Sequence, residues 1–244
     1  MKLPQKATCL PIVWQTRKLL LYVYFFIVAL CRYREISLFR DAVKYFPRWW
    51  HSVQRNNNPL EYDQPWIVYG AIQFLNNILK PNMTVWEYGS GSSTLYFARR
   101  VKQVFSIENN PEWFAYLTTV IDNQKVNNVT RQLIENQPTA PDKYFSKFDN
   151  TCFENYVRSI DTMNNSGLDI VLVDGRARTA CILHAMRKVK QGGWLIVDNS
   201  DRDYYFNGNR ELFDPAKWEA THFVGAVPYT FSFSKTSFFR KKYE

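Results

Sequence analysis

The sequence predicts an α/β fold built on a parallel sheet, and three observations carry that prediction. Apolar runs of strand length alternate with stretches of helical periodicity from residue 84 to residue 197. The first run, Val85-Trp86, leads through Glu87-Tyr88 into a Gly/Ser-rich turn, Gly89-Ser90-Gly91-Ser92-Ser93-Thr94, that opens a helix. Four strands end in acids: Glu87, Glu108, Asp174 and Asp198. In a parallel sheet the strand ends share one edge, where ligands gather. Four acids meeting there mark that edge as the candidate site.

A chain of 244 residues holds one large α/β domain, with or without an appendage, and can bury a proper core. An aromatic content of 17% fits a packed globule better than a disordered chain. The net charge of +9 is unevenly spread. Residues 1–60 carry ten Lys and Arg against Glu35 and Asp41, and the rest of the chain is nearly neutral. A basic segment beside a neutral domain suits contact with an anionic surface and disfavours a nucleic-acid groove across the catalytic face. Cys9, Cys31, Cys152 and Cys181 form no C-x-x-C pair, so reduced thiols are expected and a zinc site is not. Three histidines, His51, His184 and His222, are too few and too scattered for a histidine-rich centre.

Residues 1–58 read as a basic, partly hydrophobic helical segment, and residues 59–244 as the catalytic domain. The run from Leu19 to Cys31 is uncharged and bracketed by Arg17-Lys18 and Arg32. As a helix its 13 residues reach about 20 Å, short of the ~30 Å of a hydrocarbon core. Three readings stand: a helix packed on the domain or a partner, a helix in a membrane interface with its cations on phospholipid, or a true span. The second places the protein in the cytoplasm, peripheral to an anionic membrane. Residues 36–55 predict one or two further helices, broken at Pro47, with Trp49-Trp50 as an apolar plug, and Arg55-Asn56-Asn57-Asn58-Pro59 is the linker candidate.

Within the domain, residues 66–79 have helical spacing and end at a turn, Lys80-Pro81-Asn82. The strand and glycine turn follow. Glycine tolerates sharp turns and close backbone approach, and the small hydroxyl residues after it suit a helix N-terminus whose unpaired N–H groups face a ligand. This is the pattern of a nucleotide-like cofactor site. A dinucleotide fingerprint needs a third glycine where Thr94 stands. Glu87 would repel a pyrophosphate but would attract a cationic amine. Residues 101–107 predict the second strand, ending at Glu108, where a carboxylate can accept from both ribose hydroxyls; a helix-capping acid before Pro111 is the plainer alternative. Asn109 follows it, and Trp113 to Leu117 opens a helix. Residues 129–134 give the third strand, with Glu135 placed where an adenine amino group could be read. Residues 168–173 predict a strand buried on both faces and ending at Asp174. A helix over 179–189, a turn at Lys190-Gln191-Gly192-Gly193, and a strand over 194–197 ending in Asp198-Asn199 complete the alternation. The segment Asp201 to Arg210, with its three aromatics, suggests a lid or acceptor wall for a polar, ring-bearing molecule.

From about Pro65 to Lys241 this order of parts resembles the Rossmann-like, class I S-adenosylmethionine-dependent methyltransferases. It is most similar to an uncharacterised bacterial branch carrying Glu-Tyr-Gly-Ser-Gly-x-Ser-Thr, Val-Asp-Gly-Arg and Asp-Asn-Ser-Asp-Arg. The resemblance implies a seven-stranded, mostly parallel sheet with helices on both faces. Its antiparallel C-terminal hairpin would come from residues 220–224 and 236–240. It implies that Glu87, Gly89, Ser90, Gly91, Ser93 and Thr94 surround the methionine portion of S-adenosylmethionine. Glu108 and Asn109 would hold the ribose, with Glu135 and Asp174 also on the cofactor. In the cation-dependent O-methyltransferases, acids after the fourth and fifth strands hold a divalent metal, and Asp174, Asp198 and Asn199 match those positions as a magnesium set. Those enzymes also place a lysine where Ala177 stands here. The alternatives are Asp174 or Asp198 as a general base, or Asp198-Asn199 in a structural role. The expected activity is O-methylation of a small molecule or glycan. Its rivals are a membrane-peripheral binding protein that keeps the fold without turnover, and a nicotinamide-dependent oxidoreductase.

Overall fold

The computed structural model of the protein describes residues 11–54, 59–62, 64–138, 142–147 and 150–243. Two long helices, α1 (Pro11–Tyr33) and α2 (Ser37–Ser52), precede the short α3 (Pro59–Tyr62) and α4 (Tyr69–Ile78). The alternation then runs β1 (Thr84–Tyr88), α5 (Ser92–Ala98), β2 (Gln103–Glu108), α6 (Pro111–Asn123) and β3 (Val129–Leu133). A small hairpin, β4 (Phe145–Ser146) and β5 (Thr151–Cys152), and α7 (Glu154–Arg158) lead to β6 (Leu168–Val173), α8 (Arg178–Lys188) and β7 (Val189–Asp198). The chain closes with β8 (Trp218–Ala226) and β9 (Phe233–Lys241).

Seven strands form one sheet in the order β3-β2-β1-β6-β7-β9-β8. The first five are parallel, and β9 runs antiparallel between β7 and β8. The seven-stranded sheet with its antiparallel C-terminal hairpin is therefore as expected. Both hairpin strands are longer than the sequence pattern suggested, because polar residues such as Glu219 and Lys235 alternate with buried ones along them. The chain winds outward from β1 through β2 to β3, then crosses back to β6 and continues to β7. The strand order thus reverses between β1 and β6, and the loops after these two strands flank the crevice where such sheets take ligands.

Every residue of β6 is buried, because helices cover both faces of the sheet. On one side Tyr156 and Val157 of α7 and Cys181, Ile182 and Ala185 of α8 pack against Val171 and Val173. On the other, Ala71, Ile72 and Leu75 of α4 and Phe97 of α5 pack against Ile170 and Leu172. The expected turn at Lys190–Gly193 is instead part of β7, where a register shift against β6 absorbs the extra residues.

The N-terminal helices differ from expectation in two ways. First, α2 runs unbroken through Pro47. Proline removes the bond to the carbonyl four residues earlier, but that residue, Val43, is exposed, so water can take the freed carbonyl. Packing holds the turn beyond it: Trp49 is fully buried, and its Nε1 donates to the Thr230 carbonyl at 2.7 Å. Second, α1 has 23 residues, not 13, and reaches about 35 Å. It is long and apolar enough to cross a membrane by length and composition. One stripe of it, Lys18, Tyr22 and Ala29, is buried against the domain. Lys18 donates to the Val53 carbonyl and to Gln54 Oε1, so it is not available for a headgroup. The expected linker 55–58, and the domain boundary drawn there, lie outside the described residues.

Candidate active site

At the carboxyl end of β1 the chain turns on Gly89, whose φ is +92°. A Cβ there would lie 2.9 Å from the Gly175 Cα, so the loops after β1 and β6 touch backbone to backbone. The reciprocal position is tighter still: a Cβ on Gly175 would fall on the Tyr156 hydroxyl. Gly91 differs. Its φ of −175° is extended backbone that any residue adopts, and a Cβ there would meet only Ser93 Oγ, at 3.8 Å. Only Gly89, therefore, is required by backbone conformation; Gly91 keeps the surface beside it open.

That surface is one wall of a cavity of about 410 Å³. Gly89, Ser90, Gly91 and Ser93 line it from the turn, Glu108 and Asn109 from the end of β2, and Asp174 from the end of β6. The structure thus brings seven of the predicted cofactor residues together. Backbone donors hold the Glu108 carboxylate: Ser90 N at 3.1 Å on Oε2, and Asn109 N and Asn110 N at 2.8 Å on Oε1. A carboxylate has about four acceptor sites, which leaves one for a hydroxyl in the cavity. Asn110, not Glu108, caps α6, with Oδ1 accepting from Trp113 N at 2.9 Å.

Glu87 and Thr94 sit beneath this wall and are fully buried. Thr94 Oγ1 donates to Glu87 Oε2 at 2.5 Å and accepts from Gly91 N at 3.0 Å, tying the acid to the turn. Ser106 Oγ also donates to Oε2, at 2.7 Å. Oε1 is buried with no hydrogen-bond partner among the described residues. Burial pushes the Glu87 carboxyl up to about 7, against the hydroxyls of Ser93, Thr94 and Ser106, which lower it. Glu87 does not line the cavity itself, so a ligand ammonium there would feel its charge through the turn that covers it.

Glu135 is not brought to this cavity. β3 ends at Leu133, and Glu135 is exposed on the chain beyond it. Among the cavity residues without a site role in the sequence reading are two tryptophans. Trp113 stands on the first turn of α6, its Nε1 donating to the Ser90 carbonyl at 2.8 Å, and presents a flat apolar surface. Trp66, half exposed, lies on the segment before α4. For Trp113 the available signal was an aromatic following an acid-ended strand by five residues.

Arg178 stands among the residues of the predicted metal set. Its guanidinium is wedged between the ends of β6 and β7. It pairs with Asp174 Oδ1 at 2.8 Å and donates to the carbonyls of Asp174, Gly175 and Asp198 at 2.8, 3.0 and 2.7 Å. It also reaches Asn199 Oδ1 at 3.4 Å. A cation of the chain thus sits among the oxygens a magnesium ion would need. Among the described residues no group of three or more His, Cys, Asp or Glu side chains is placed to hold a metal. Asp198 is buried, lines neither large cavity at this edge, and accepts from Thr236 Oγ1 at 2.6 Å across the β7–β9 pairing. This anchors the hairpin and gives Asp198 no contact with an acceptor. Burial raises both carboxyls, Arg178 opposing it at each and Asp174 adding to it at Asp198. Of the two candidate bases, only Asp174 faces a cavity.

A second cavity, of about 400 Å³, adjoins the first across Gly175 and Arg176, which line both. Tyr204 and Tyr205, from the segment after β7, form part of its wall. That segment is a short 3-10 turn, Asp203–Phe206, held by Arg202 Nη1 donating to Tyr205 Oη at 2.6 Å.

A scan against protein-family models and a search of curated proteins both return no match. Solved structures do match. An rRNA methylase from Streptococcus thermophilus is 11% identical, with a TM-score of 0.53 over 72% of this chain and 96% of its own. An O-methyltransferase from Bacillus cereus, solved in complex with S-adenosylhomocysteine, is 14% identical, with a TM-score of 0.51 over 66% and 74% of the two chains. At these identities the likeness is one of fold. The chain has the Rossmann-like architecture of the class I S-adenosylmethionine-dependent methyltransferases.

Proposed function

On the premise of that fold, we propose that the protein is an S-adenosylmethionine-dependent methyltransferase that methylates oxygen on a small molecule or glycan. The observation that carries the reading is the buried, donor-less Glu87 Oε1 beneath a cavity whose other acid, Glu108, is fixed by three backbone amides. Glu87 would answer the ligand's ammonium, Glu108 a ribose hydroxyl, and Trp113 the flat face of a purine. When bound, the cofactor supplies an electrophilic methyl group on a sulfonium. Asp174 stands on the wall of the same cavity, beside the passage to the second one. With Arg178 holding its Oδ1, Asp174 keeps the other oxygen for the proton of an acceptor hydroxyl. No metal step is assigned; Arg178 holds Asp174 Oδ1 and reaches Asn199 Oδ1.

Calorimetry with S-adenosylhomocysteine and with NAD tests the assignment. Binding of the first and none of the second is expected; the reverse would make the chain a nicotinamide enzyme.

The same proposal extends to place. We propose a cytoplasmic enzyme peripheral to an anionic membrane, with α1 lying in the interface. Its outward stripe carries Leu20, Tyr24 and Ile27, at 65%, 59% and 53% exposure, and α2 adds Phe39 and Val43. Exposed Arg17, Arg34, Arg40 and Lys44 flank this apolar surface, the charge arrangement that anionic headgroups attract.

A further inference from the structure

The second cavity has a charge pattern that the methyltransferase reading alone does not explain. Lys143 and Lys147, at the β4 end, line it on one side, and Arg176, Arg178 and Arg202 line it on the other. Asp142 is the single carboxylate in the lining. Arg178 is neutralised by Asp174 at 2.8 Å. For Lys143, Lys147 and Arg202 no carboxylate lies within ion-pair distance among the described residues. They rest instead on aromatic rings: Lys143 Nζ is 4.8 Å from the Tyr144 ring centre, Lys147 Nζ 4.7 Å from that of Tyr204, and Arg202 5.7 Å from that of Tyr205. Lys147 precedes β5 and Tyr204 follows β7, so this contact joins two parts of the lining that lie far apart in sequence.

Three cations gathered around about 400 Å³, with Asp142 the one carboxylate among the lining residues and no ion pair to any of the three among the described residues, repel one another. An oxyanion entering between them relieves that repulsion and gains charge-assisted hydrogen bonds. Tyr204 and Phe145 offer ring faces beside the cations, and Asn207 and Thr179 offer neutral polar groups. The volume is at the small end of ligand pockets and fits one ring with an attached oxyanion. Because Gly175 and Arg176 line both cavities, a molecule held here lies next to Asp174.

We infer that the methyl acceptor is a small aromatic or sugar-like molecule bearing a phosphate or sulfate group, held by Lys143, Lys147 and Arg202. The inference rests on the methyltransferase reading for the word acceptor; the binding of an oxyanion does not depend on it.

Phenyl phosphate, phenyl sulfate and phenol serve as probes, titrated into the full chain with and without S-adenosylhomocysteine and followed by calorimetry. The phosphate or the sulfate should bind at least tenfold tighter than phenol, and whichever is tighter identifies the source of the charge. The K143E/K147E double variant should lose at least tenfold of that affinity, and Arg202→Gln a similar factor. Both variants should keep the wild-type affinity for S-adenosylhomocysteine, and K143E/K147E should also keep the wild-type thermal midpoint, since both lysines are exposed; Arg202→Gln also removes the bond to Tyr205 Oη, so the lysine variant is the one that isolates charge. Equal affinities for phenyl phosphate and phenol would overturn the inference, as would charge reversal without effect. So would a single-stranded RNA oligomer that binds through the same lysines while phenyl phosphate does not. If S-adenosylhomocysteine fails to bind while phenyl phosphate binds as described, the methyltransferase reading falls and the oxyanion site stands.

Discussion

Glu87 gives the sharpest test of the cofactor cavity, because its ionisation should set the affinity. With the carboxyl near 7 in the free protein, only about 3% is ionised at pH 5.5 and about half at pH 7. An α-amino group titrates at roughly 7.7–8.0, so the ligand stays cationic over this window. If the ligand ammonium pairs with ionised Glu87, affinity should rise on the order of tenfold from pH 5.5 to pH 7. Proton release on binding should accompany it, read as a dependence of the binding heat on the buffer's ionisation enthalpy. Asp174 lines the cavity as well, and burial raises its carboxyl against the opposing effect of Arg178. Glu87→Gln isolates the Glu87 contribution: the variant should bind more weakly at pH 7 and lose most of the pH dependence. Stability moves the opposite way. Folding raises the Glu87 pKa from 4.5, so the native chain holds this proton more tightly than the unfolded one. Its contribution is fully present below pH 4.5 and is lost as pH rises toward 7, by about 3 kcal/mol. A flat wild-type profile, or a full slope retained in Glu87→Gln, would refute the pairing.

Three further outcomes are expected. Glu108→Ala should weaken S-adenosylhomocysteine binding by about 1.5–3 kcal/mol, the worth of a hydrogen bond to a charged group; unchanged calorimetric affinity would remove Glu108 from the ribose. Gly175→Ala should cost about 1–3 kcal/mol in denaturant unfolding, since its Cβ would land 1.9 Å from the Tyr156 hydroxyl, and an unchanged midpoint would mean that the loop relaxes. Full-length protein should float with anionic liposomes, and L20E/I27E should not, having lost about 3 kcal/mol of apolar burial; equal flotation of the two would place α1 on a protein surface instead.

Much of the sheet was legible in the sequence because each strand carried its own terminator. β6 stands out through the apolar run Ile170-Val171-Leu172-Val173 that ends at Asp174, and the turn after β1 announces itself through Gly89. The boundaries that shifted did so where tertiary contact overrides local signals. Pro47 reads as a break, yet Trp49 is anchored to the Thr230 carbonyl 181 residues away in the sequence. Gly192-Gly193 reads as a turn, yet pairing with β6 draws it into β7. In the site the residue types were readable but their partners were not. Asp174, Asp198 and Asn199 fit a magnesium set by position, and only folding reveals that Arg178 turns inward among them. The cationic cavity is likewise invisible along the chain, since Lys143 and Lys147 meet Arg176 and Arg202 only after the sheet brings 30 to 60 intervening residues around.

The first helix and the wall of the second cavity are joined. Arg32 Nη2, on the last turn of α1, pairs with Asp201 Oδ2 at 2.6 Å, and Asp201 precedes the Arg202–Tyr205 wall of the second cavity. Arg32 is half exposed, so the pair alone is worth little in stability. Its weight is geometric: it fixes the start of the Arg202–Tyr205 wall to a helix whose far side is an exposed apolar stripe. Displacing α1 should then alter the acceptor wall while leaving the turn at Gly89 alone, because that turn is held by Thr94, Glu87 and Ser106. Arg32→Ala separates the two: phenyl phosphate affinity should fall with S-adenosylhomocysteine affinity unchanged. Equal losses in both would mean that α1 supports the whole sheet edge rather than the acceptor side.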